Sequence, residues 1–343
     1  MPAIPDWATA HGDPLFEAVI RSTPSEFIVT EQSDIAFSGE GEHDYLWIEK
    51  TGSNTQWVAE QLARHAAVPQ RDVGYAGLKD RHAVTRQWFS VRRLGETDWK
   101  NFIQDGVQIL DQQRHRRKLR RGAHQGNMFR IALRAAGLEP RRDEIGQRLA
   151  AISRDGVPNY FGEQRFGRNG SNVDLFQRVF AGQRLSRAKR GIAFSAARSL
   201  VFNAILDARV RSDSWDRILP GELANLDGSG SVFEVDEVSD ELVTRCKEQD
   251  IHPSGTLWGD GAPRGQLQVA AIETAISEDM QSVCDGIIAA RMDAASRALR
   301  MRVTNLEWDF EPDTLWLGFE LAKGGYATAV LRELARAVSG LTQ

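Results

Sequence analysis

Apolar residues that recur at every second position mark the strands of this chain, and recurrence at three to four positions marks its helices. Glu26-Phe27-Ile28-Val29-Thr30-Glu31 and Tyr45-Leu46-Trp47-Ile48-Glu49-Lys50 are β-rich runs bounded by Gly, Pro, Ser and Asp. From Thr55 to Ala66 the fourth-position recurrence of Val58, Leu62 and Ala66 predicts a helix, with Asn54 or Thr55 as its cap. A loop is expected from Val68 to Ala83, then a strand at Trp88-Phe89-Ser90-Val91. Phe129, Ile131 and Leu133 alternate with Arg130, Ala132 and Arg134, the signature of a half-buried strand.

Past Arg141 a helix is expected to about Arg154, ended by Asp155-Gly156-Val157-Pro158. Long helices are predicted from about residue 190 to 212 and from about 266 to 300. Between them Leu226-Asp227-Gly228-Ser229-Gly230-Ser231 reads as loop or hairpin, and residues 213–265 carry no motif. Leu306-Glu307-Trp308-Asp309-Phe310 and Leu315-Trp316-Leu317-Gly318-Phe319-Glu320-Leu321 return to the β pattern, and a last helix from about Tyr326 to Val338 is stopped by Gly340. A β-rich beginning and end around a more helical middle predict an α/β (α+β) chain. Its first domain, residues 1–153 and 304–343, is interrupted by an inserted domain over 154–303. The length of 343 residues agrees, since one domain usually takes ~100–200.

Composition narrows the class. Hydrophobic residues at 41% and charged residues at 26% are ordinary for a globular protein, and no apolar run approaches the ~20 residues that span a bilayer. The N-terminal residues lack the basic start and apolar stretch of a secretory signal, so a cytoplasmic location is expected. Cys246 and Cys284 are far apart, with no cysteine or histidine at ligand spacing, so neither a disulfide nor a metal site is expected. The net charge of −4 argues against a nucleic-acid partner, but its distribution argues for one. Residues 79–121 hold 12 Lys and Arg against 5 Asp and Glu, whereas residues 231–280 hold 3 against 11. Within the basic part, Arg114, Arg116, Arg117, Lys118, Arg120 and Arg121 fit a phosphate-binding strip or a solvated loop.

Several common signatures are missing: a phosphate-binding glycine loop ending in Lys-Ser or Lys-Thr, a dinucleotide fingerprint, a nucleophile elbow and a metal-spaced histidine pair. What stands out is Gly74-Tyr75-Ala76-Gly77-Leu78-Lys79-Asp80-Arg81-His82-Ala83-Val84-Thr85-Arg86-Gln87. Two glycines precede a carboxylate with cations on both sides, between a helix and a strand. Neighbouring cations favour the ionised carboxylate, as a nucleophile or base needs. The same triplet also suits a solvated turn.

This stretch resembles the signature loop of the TruD family of tRNA pseudouridine synthases. Other motifs follow in family order. Arg21 with Pro24-Ser25-Glu26-Phe27-Ile28-Val29 is similar to the first motif, and Gly39-Glu40-Gly41-Glu42-His43, Lys50 and Asn54-Thr55 follow at family spacing. Gly126-Asn127-Met128-Phe129 resembles the family's Gly-Asn-x-Phe strand. Val157-Pro158-Asn159-Tyr160-Phe161-Gly162-Glu163-Gln164-Arg165-Phe166-Gly167 resembles the opening of its insertion domain. Gly325-Tyr326-Ala327-Thr328 with Leu331-Arg332-Glu333 resembles the closing motif.

The resemblance implies a pseudouridine synthase catalytic domain with a mixed, largely antiparallel sheet, interrupted by the family's own insertion, in a V around an RNA cleft. It implies that Asp80 is catalytic, that Arg21 pairs with it, and that Lys79, Asn127 and Phe129 support the site. The substrate implied is tRNA, at the uridine of position 13, and no cofactor, metal or membrane is implied; nothing demands more than a monomer. The chemistry agrees: isomerising uridine breaks one bond, turns the base and rejoins carbon 5 to the sugar without redox change, so one carboxylate suffices as nucleophile or base. The target base must be flipped out, and a ring commonly holds it. Phe129 stands where the family resemblance puts such a ring, although its phase with Ile131 and Leu133 also fits core packing. Arg81, Arg165 and Arg168 join the basic strip as candidate RNA contacts, with Tyr160, Phe161 and Phe166 turned inside and Arg165 and Arg168 outward. The rivals are a non-catalytic RNA-binding protein on the same scaffold and a hydrolase that releases uracil.

Overall fold

Ten strands of the chain join in one mixed sheet. The computed structural model describes residues 5–167 and 170–340. These divide into two units, one formed by 15–146, 304–325 and the residues from 335 on, the other by the residues up to 14 with 147–303 and 326–334.

The first unit begins with β1 (Phe16–Ile20), β2 (Phe27–Gln32) and β3 (His43–Lys50), followed by helix α1 (Thr55–His65). Then come β4 (Val73–Tyr75), β5 (Val84–Arg92), β6 (Val107–His115) and β7 (Gly126–Arg134). Its core lies where α1 covers one face of the sheet, with Val58, Ala59, Leu62 and Ala63 against Leu46 and Ile48 of β3 and Phe89 and Val91 of β5. The fourth-position recurrence is thus the buried face of α1. Asn54 is the N-cap, but through its backbone, since its side chain makes no capping hydrogen bond.

The second unit contains α2 (Arg142–Asp155) from its sixth residue, then β8 (Val157–Pro158), α3 (Ser171–Phe180) and α4 (Arg187–Arg211). A small hairpin, β9 (Glu222–Leu226) and β10 (Val232–Val235), precedes α5 (Asp240–Lys247), β11 (Ile251–His252) and β12 (Ser254–Leu257). After α6 (Leu267–Asp279) and α7 (Gln281–Ala289) come β13 (Ala295–Ala298) and β14 (Arg300–Met301). Among the described residues α4 is, by length and composition alone, long and apolar enough to cross a bilayer, although Arg198 and Asp207 interrupt its apolar run. Its apolar residues line two cores instead: Phe202 and Leu206 join Tyr160, Phe161 and Phe166, while Phe194, Val201 and Ile205 join Phe176 and Ile287.

The chain ends with β15 (Thr304–Glu311), β16 (Thr314–Ala322), α8 (Ala327–Arg332) and β17 (Ala335–Ser339). The main sheet runs β15-β16-β7-β2-β5-β3-β6, with β4 on β5 and with β1 touching β7 and β17. Only β2–β5 and β1–β17 are parallel, so the sheet is mixed and largely antiparallel, as expected.

Four expectations about elements need correction. The last helix stops at Arg332, because Ala335–Ser339 pair in register with Phe16–Ile20 and strand pairing overrides a helix-prone sequence. The stretch from 266 to 300 is two helices and two short strands, since Ala295–Ala298 pair with Ser254–Leu257. The loop from 68 to 83 contains β4, held to Phe89–Val91. Finally Arg114 and His115 end a strand, β6, whose mostly exposed residues gave no alternation to read.

Candidate active site

The face of the sheet that α1 covers is apolar through Leu46 and Ile48, then becomes polar. In β3 the next residue in phase is Lys50, and in β5 the residues in phase with Phe89 are Gln87 and Thr85; all three are 0% exposed. Lys50 and Thr85 lie opposite each other in the β3–β5 register. Buried polar groups ordinarily find partners; Lys50 and Gln87 find theirs in and around the loop that carries Asp80, whereas the Thr85 hydroxyl has none among the described residues. The Lys50 ammonium donates to the carbonyls of Ser53 at 2.8 Å and Asp80 at 2.9 Å. Thr55 Oγ1 donates to Gln87 Oε1 and accepts from the Lys79 backbone N–H, while Gln87 Nε2 donates to the Gly77 carbonyl. Burial pushes the Lys50 ammonium down to about 8; the Asp80 charge opposes the fall and Lys79 adds to it.

Asp80 is thereby fixed at the backbone while its side chain remains 26% exposed. One carboxylate oxygen accepts from the His82 backbone N–H at 2.9 Å, and the other lies 3.1 Å from Arg21 Nη2. Each oxygen therefore has one partner and a lone pair to spare. Arg21 sits in the turn after β1 with φ of +58°, an uncommon conformation for a residue with a side chain. The next turn, Pro24–Glu26, secures it: Glu26 accepts from the Ser22 backbone N–H and pairs with Arg134 of β7. The Arg21 guanidinium lies over the Phe27 ring at 4.1 Å. Burial lowers its proton affinity, and the Asp80 charge works the other way.

Lys79 turns inward. Its ammonium is 3.1 Å from Glu31 Oε2 and donates to Asn127 Oδ1 at 2.8 Å. Glu31 of β2 and Asn127 of β7 face each other directly in the antiparallel register, so Lys79 closes a cross-strand pair. Burial raises the Glu31 carboxyl and lowers the Lys79 ammonium, each offset by the other's charge. Beside the loop, His124 approaches Gly77, and burial with the charges of Lys79 and Lys323 lowers its imidazole.

Four of the five expected site residues, Arg21, Lys79, Asp80 and Asn127, are thus linked by direct contacts. Phe129 is two residues along β7, 7% exposed, and stacked on Phe319 with ring centres 5.4 Å apart. In this arrangement it packs the core, the alternative that its phase raised. Sequence reasoning missed Glu31 as a site residue, and it took Lys50 for a motif position only. Both carried a signal: Glu31 is in phase with Phe27 and Val29, and Lys50 with Leu46 and Ile48, so each is a charge in a core row.

The basic strip lies in the same unit. Its inner residue, Leu119, is buried beside Tyr45 and Ala76. The strip passes so close to Gly74 that a Cβ there would stand 2.3 Å from the Leu119 carbonyl oxygen, which is why position 74 is glycine. Gly122 N–H donates to the Ala76 carbonyl, and Arg121 lies over the Tyr75 ring at 3.7 Å. The strip thus runs along the residues that lead into the Asp80 loop. Arg114 donates to Gly41, Arg116 pairs with Glu40 and Lys118 donates to Arg71, whereas Arg117 and Arg120 expose their side chains. Arg81 donates to the Gly52 carbonyl.

Arg165 belongs to the other unit. Tyr160, Phe161 and Phe166 are buried there as expected, but Arg165 is not simply outward: it donates to Ser195 Oγ and to the Tyr326 hydroxyl, drawn in by those two oxygens. Arg168 lies outside the described residues. Cys246 and Cys284 are free and buried.

A sequence profile described as tRNA pseudouridine synthase D (TruD) matches residues 10–190 and 177–334 of the chain. The chain belongs to the TruD family. Its relatives include the tRNA pseudouridine synthase D of Nitrosococcus oceani, 43% identical with 97% of this chain and 94% of the relative covered. That of Xanthomonas oryzae pv. oryzae is 46% identical, with 95% and 93% covered. In fold the chain is similar to the crystal structure of a candidate TruD protein from Methanosarcina mazei, with a TM-score of 0.73 at 18% identity over 99% of this chain and 97% of that one.

Proposed function

We propose that this chain is a tRNA pseudouridine synthase in which Asp80 supplies the chemistry. The observation that carries the reading is Asp80 itself: a carboxylate whose backbone is fixed from below by Lys50, whose side chain is held by Arg21, and which still faces solvent. A cation at hydrogen-bond distance keeps a carboxylate ionised and oriented. Such a group serves as nucleophile toward sugar or base, or as the base that forms a glycal, and each route needs one carboxylate only. The exposed Arg117 and Arg120 with the rest of the strip contact tRNA phosphates, and Phe129, once a base is flipped in, offers it a ring. Family membership supports uridine 13 as target. The unit containing residues 147–303 then serves substrate choice, and the enzyme works as a cytoplasmic monomer.

The test is tritium release from tRNA labelled at carbon 5 of uridine, run beside filter binding of the same tRNA. Asp80→Asn should bind as well as the unsubstituted chain or slightly better, since an anion beside phosphates is gone, while product formation drops by several orders of magnitude. Near-normal release by Asp80→Asn would eliminate Asp80 as the catalytic group. Release of free uracil would point to a hydrolase, and binding without any release to an RNA-binding protein on this scaffold.

A further inference from the structure

We infer that Lys50 is a positioning residue for Asp80, its ammonium holding the Asp80 carbonyl so that the carboxylate leaves the loop in one direction, a role that rests on the pseudouridine synthase reading above. A lysine in an RNA-binding protein ordinarily meets phosphates, but Lys50 is 0% exposed and reaches none. It occupies a core position in phase with Leu46 and Ile48, where an apolar side chain is the ordinary choice. Burying an ammonium there is costly without partners. Its partners are the carbonyls of Ser53 and Asp80, so one group joins the turn after β3 to the loop before β5. Among the described residues, Lys50 is the side chain that holds the Asp80 carbonyl.

The charged groups that act on Lys50 are Asp80 and Lys79, both from the loop above it. On the neighbouring strand β5 it faces Thr85, which is neutral, and α1 contributes Thr55 and no charge in its first turn. Asp80 therefore has two cations, Arg21 at the carboxylate and Lys50 beneath the peptide. Burial brings the Lys50 ammonium down to about 8, so its charge fades within the range of an ordinary assay.

The experiment measures single-turnover tritium release from pH 6 to 10 for the unsubstituted chain, Lys50→Met and Lys50→Arg, with tRNA affinity and its salt dependence beside it. Lys50→Met should lower the rate about a hundredfold, the effect of a misplacement near ~1 Å, with affinity and salt slope unchanged. The unsubstituted rate should fall through about pH 8, and that fall should be absent in Lys50→Arg, whose guanidinium stays charged. A Lys50→Met protein with an undiminished rate, or with weakened binding and an intact rate, overturns the inference. If Lys50→Met does not fold, the other two decide: identical alkaline limbs in the unsubstituted chain and Lys50→Arg overturn it. Absence of tritium release from the unsubstituted chain sinks the activity reading, and this inference with it.

Discussion

Lys79, the residue before Asp80, points its ammonium into the protein and donates to Asn127 Oδ1 at 2.8 Å. The same ammonium meets Glu31, so the loop is tied to two adjacent strands through one side chain. Two consecutive charged residues thereby do opposite things: Lys79 anchors and Asp80 is presented.

Anchoring by a buried ion pair makes the loop sensitive to loss of one partner. Side-chain exposures of 5% for Lys79 and 1% for Glu31 leave no water to replace a missing charge. Glu31→Gln should destabilise the protein by about 3 kcal/mol in urea unfolding, because the Lys79 charge remains buried. Glu31→Leu combined with Lys79→Met should cost clearly less. A double substitution that costs the sum of its parts would show that the pair is not coupled.

Arg21 separates backbone strain from function. At φ of +58° a side chain costs roughly 1 kcal/mol that glycine avoids. Arg21→Gly should therefore be about 1 kcal/mol more stable than Arg21→Ala, while both lose the ion pair with Asp80 and fall well below the unsubstituted rate. Thermal unfolding of the two variants gives the comparison, and equal stability would refute the strain.

The strip divides into engaged and disengaged cations. Arg117→Ala and Arg120→Ala should each weaken tRNA binding and flatten the slope of log affinity against log salt by roughly one unit per lost phosphate contact. Arg116 already pairs with Glu40, so Arg116→Ala should change the slope less. An unchanged slope in the Arg117 and Arg120 variants would make the strip a bystander.

The sequence made the framework readable wherever alternation or fourth-position recurrence was strong, as in β2, β3, β7, β16 and α1. It failed where pairing partners lie far away. Ala335–Ser339 looks helical by itself and becomes a strand because Phe16–Ile20 offers an edge, which no local window contains. Asp80, Arg21 and Asn127 were legible through motifs, whereas Glu31 was passed over because a charge in a strand is usually assigned to the solvent face. Strand phase, taken strictly, would have placed both Glu31 and Lys50 inside.

Lys50 also sets a pH dependence of stability. Burial lowers its ammonium from 10.5 to about 8, so between those values the unfolded chain holds a proton that the folded chain has released. Folding free energy from this group accordingly rises with pH across that window and is lost again as pH falls through about 8. The difference in unfolding free energy between the unsubstituted chain and Lys50→Met should shift by about 3 kcal/mol from pH 7 to pH 10.5, in favour of the unsubstituted chain. A difference independent of pH would mean that Lys50 titrates near its ordinary value.

The pairing of β7 with β16 has a consequence for synthesis on the ribosome. Gly126–Arg134 waits for Thr314–Ala322, its partner along its whole length. About 180 residues separate them, roughly 10 to 40 s of translation. During that time the inner strand of the sheet has an open edge, and an open edge is where chains pair with the wrong partner. The residues made in the interval supply the buried side chains of two further cores, although Tyr326–Leu334 of the same unit are made only after β16. Slow codons or a stall before residue 314 should therefore lower the yield of soluble protein more than the same delay placed after residue 322.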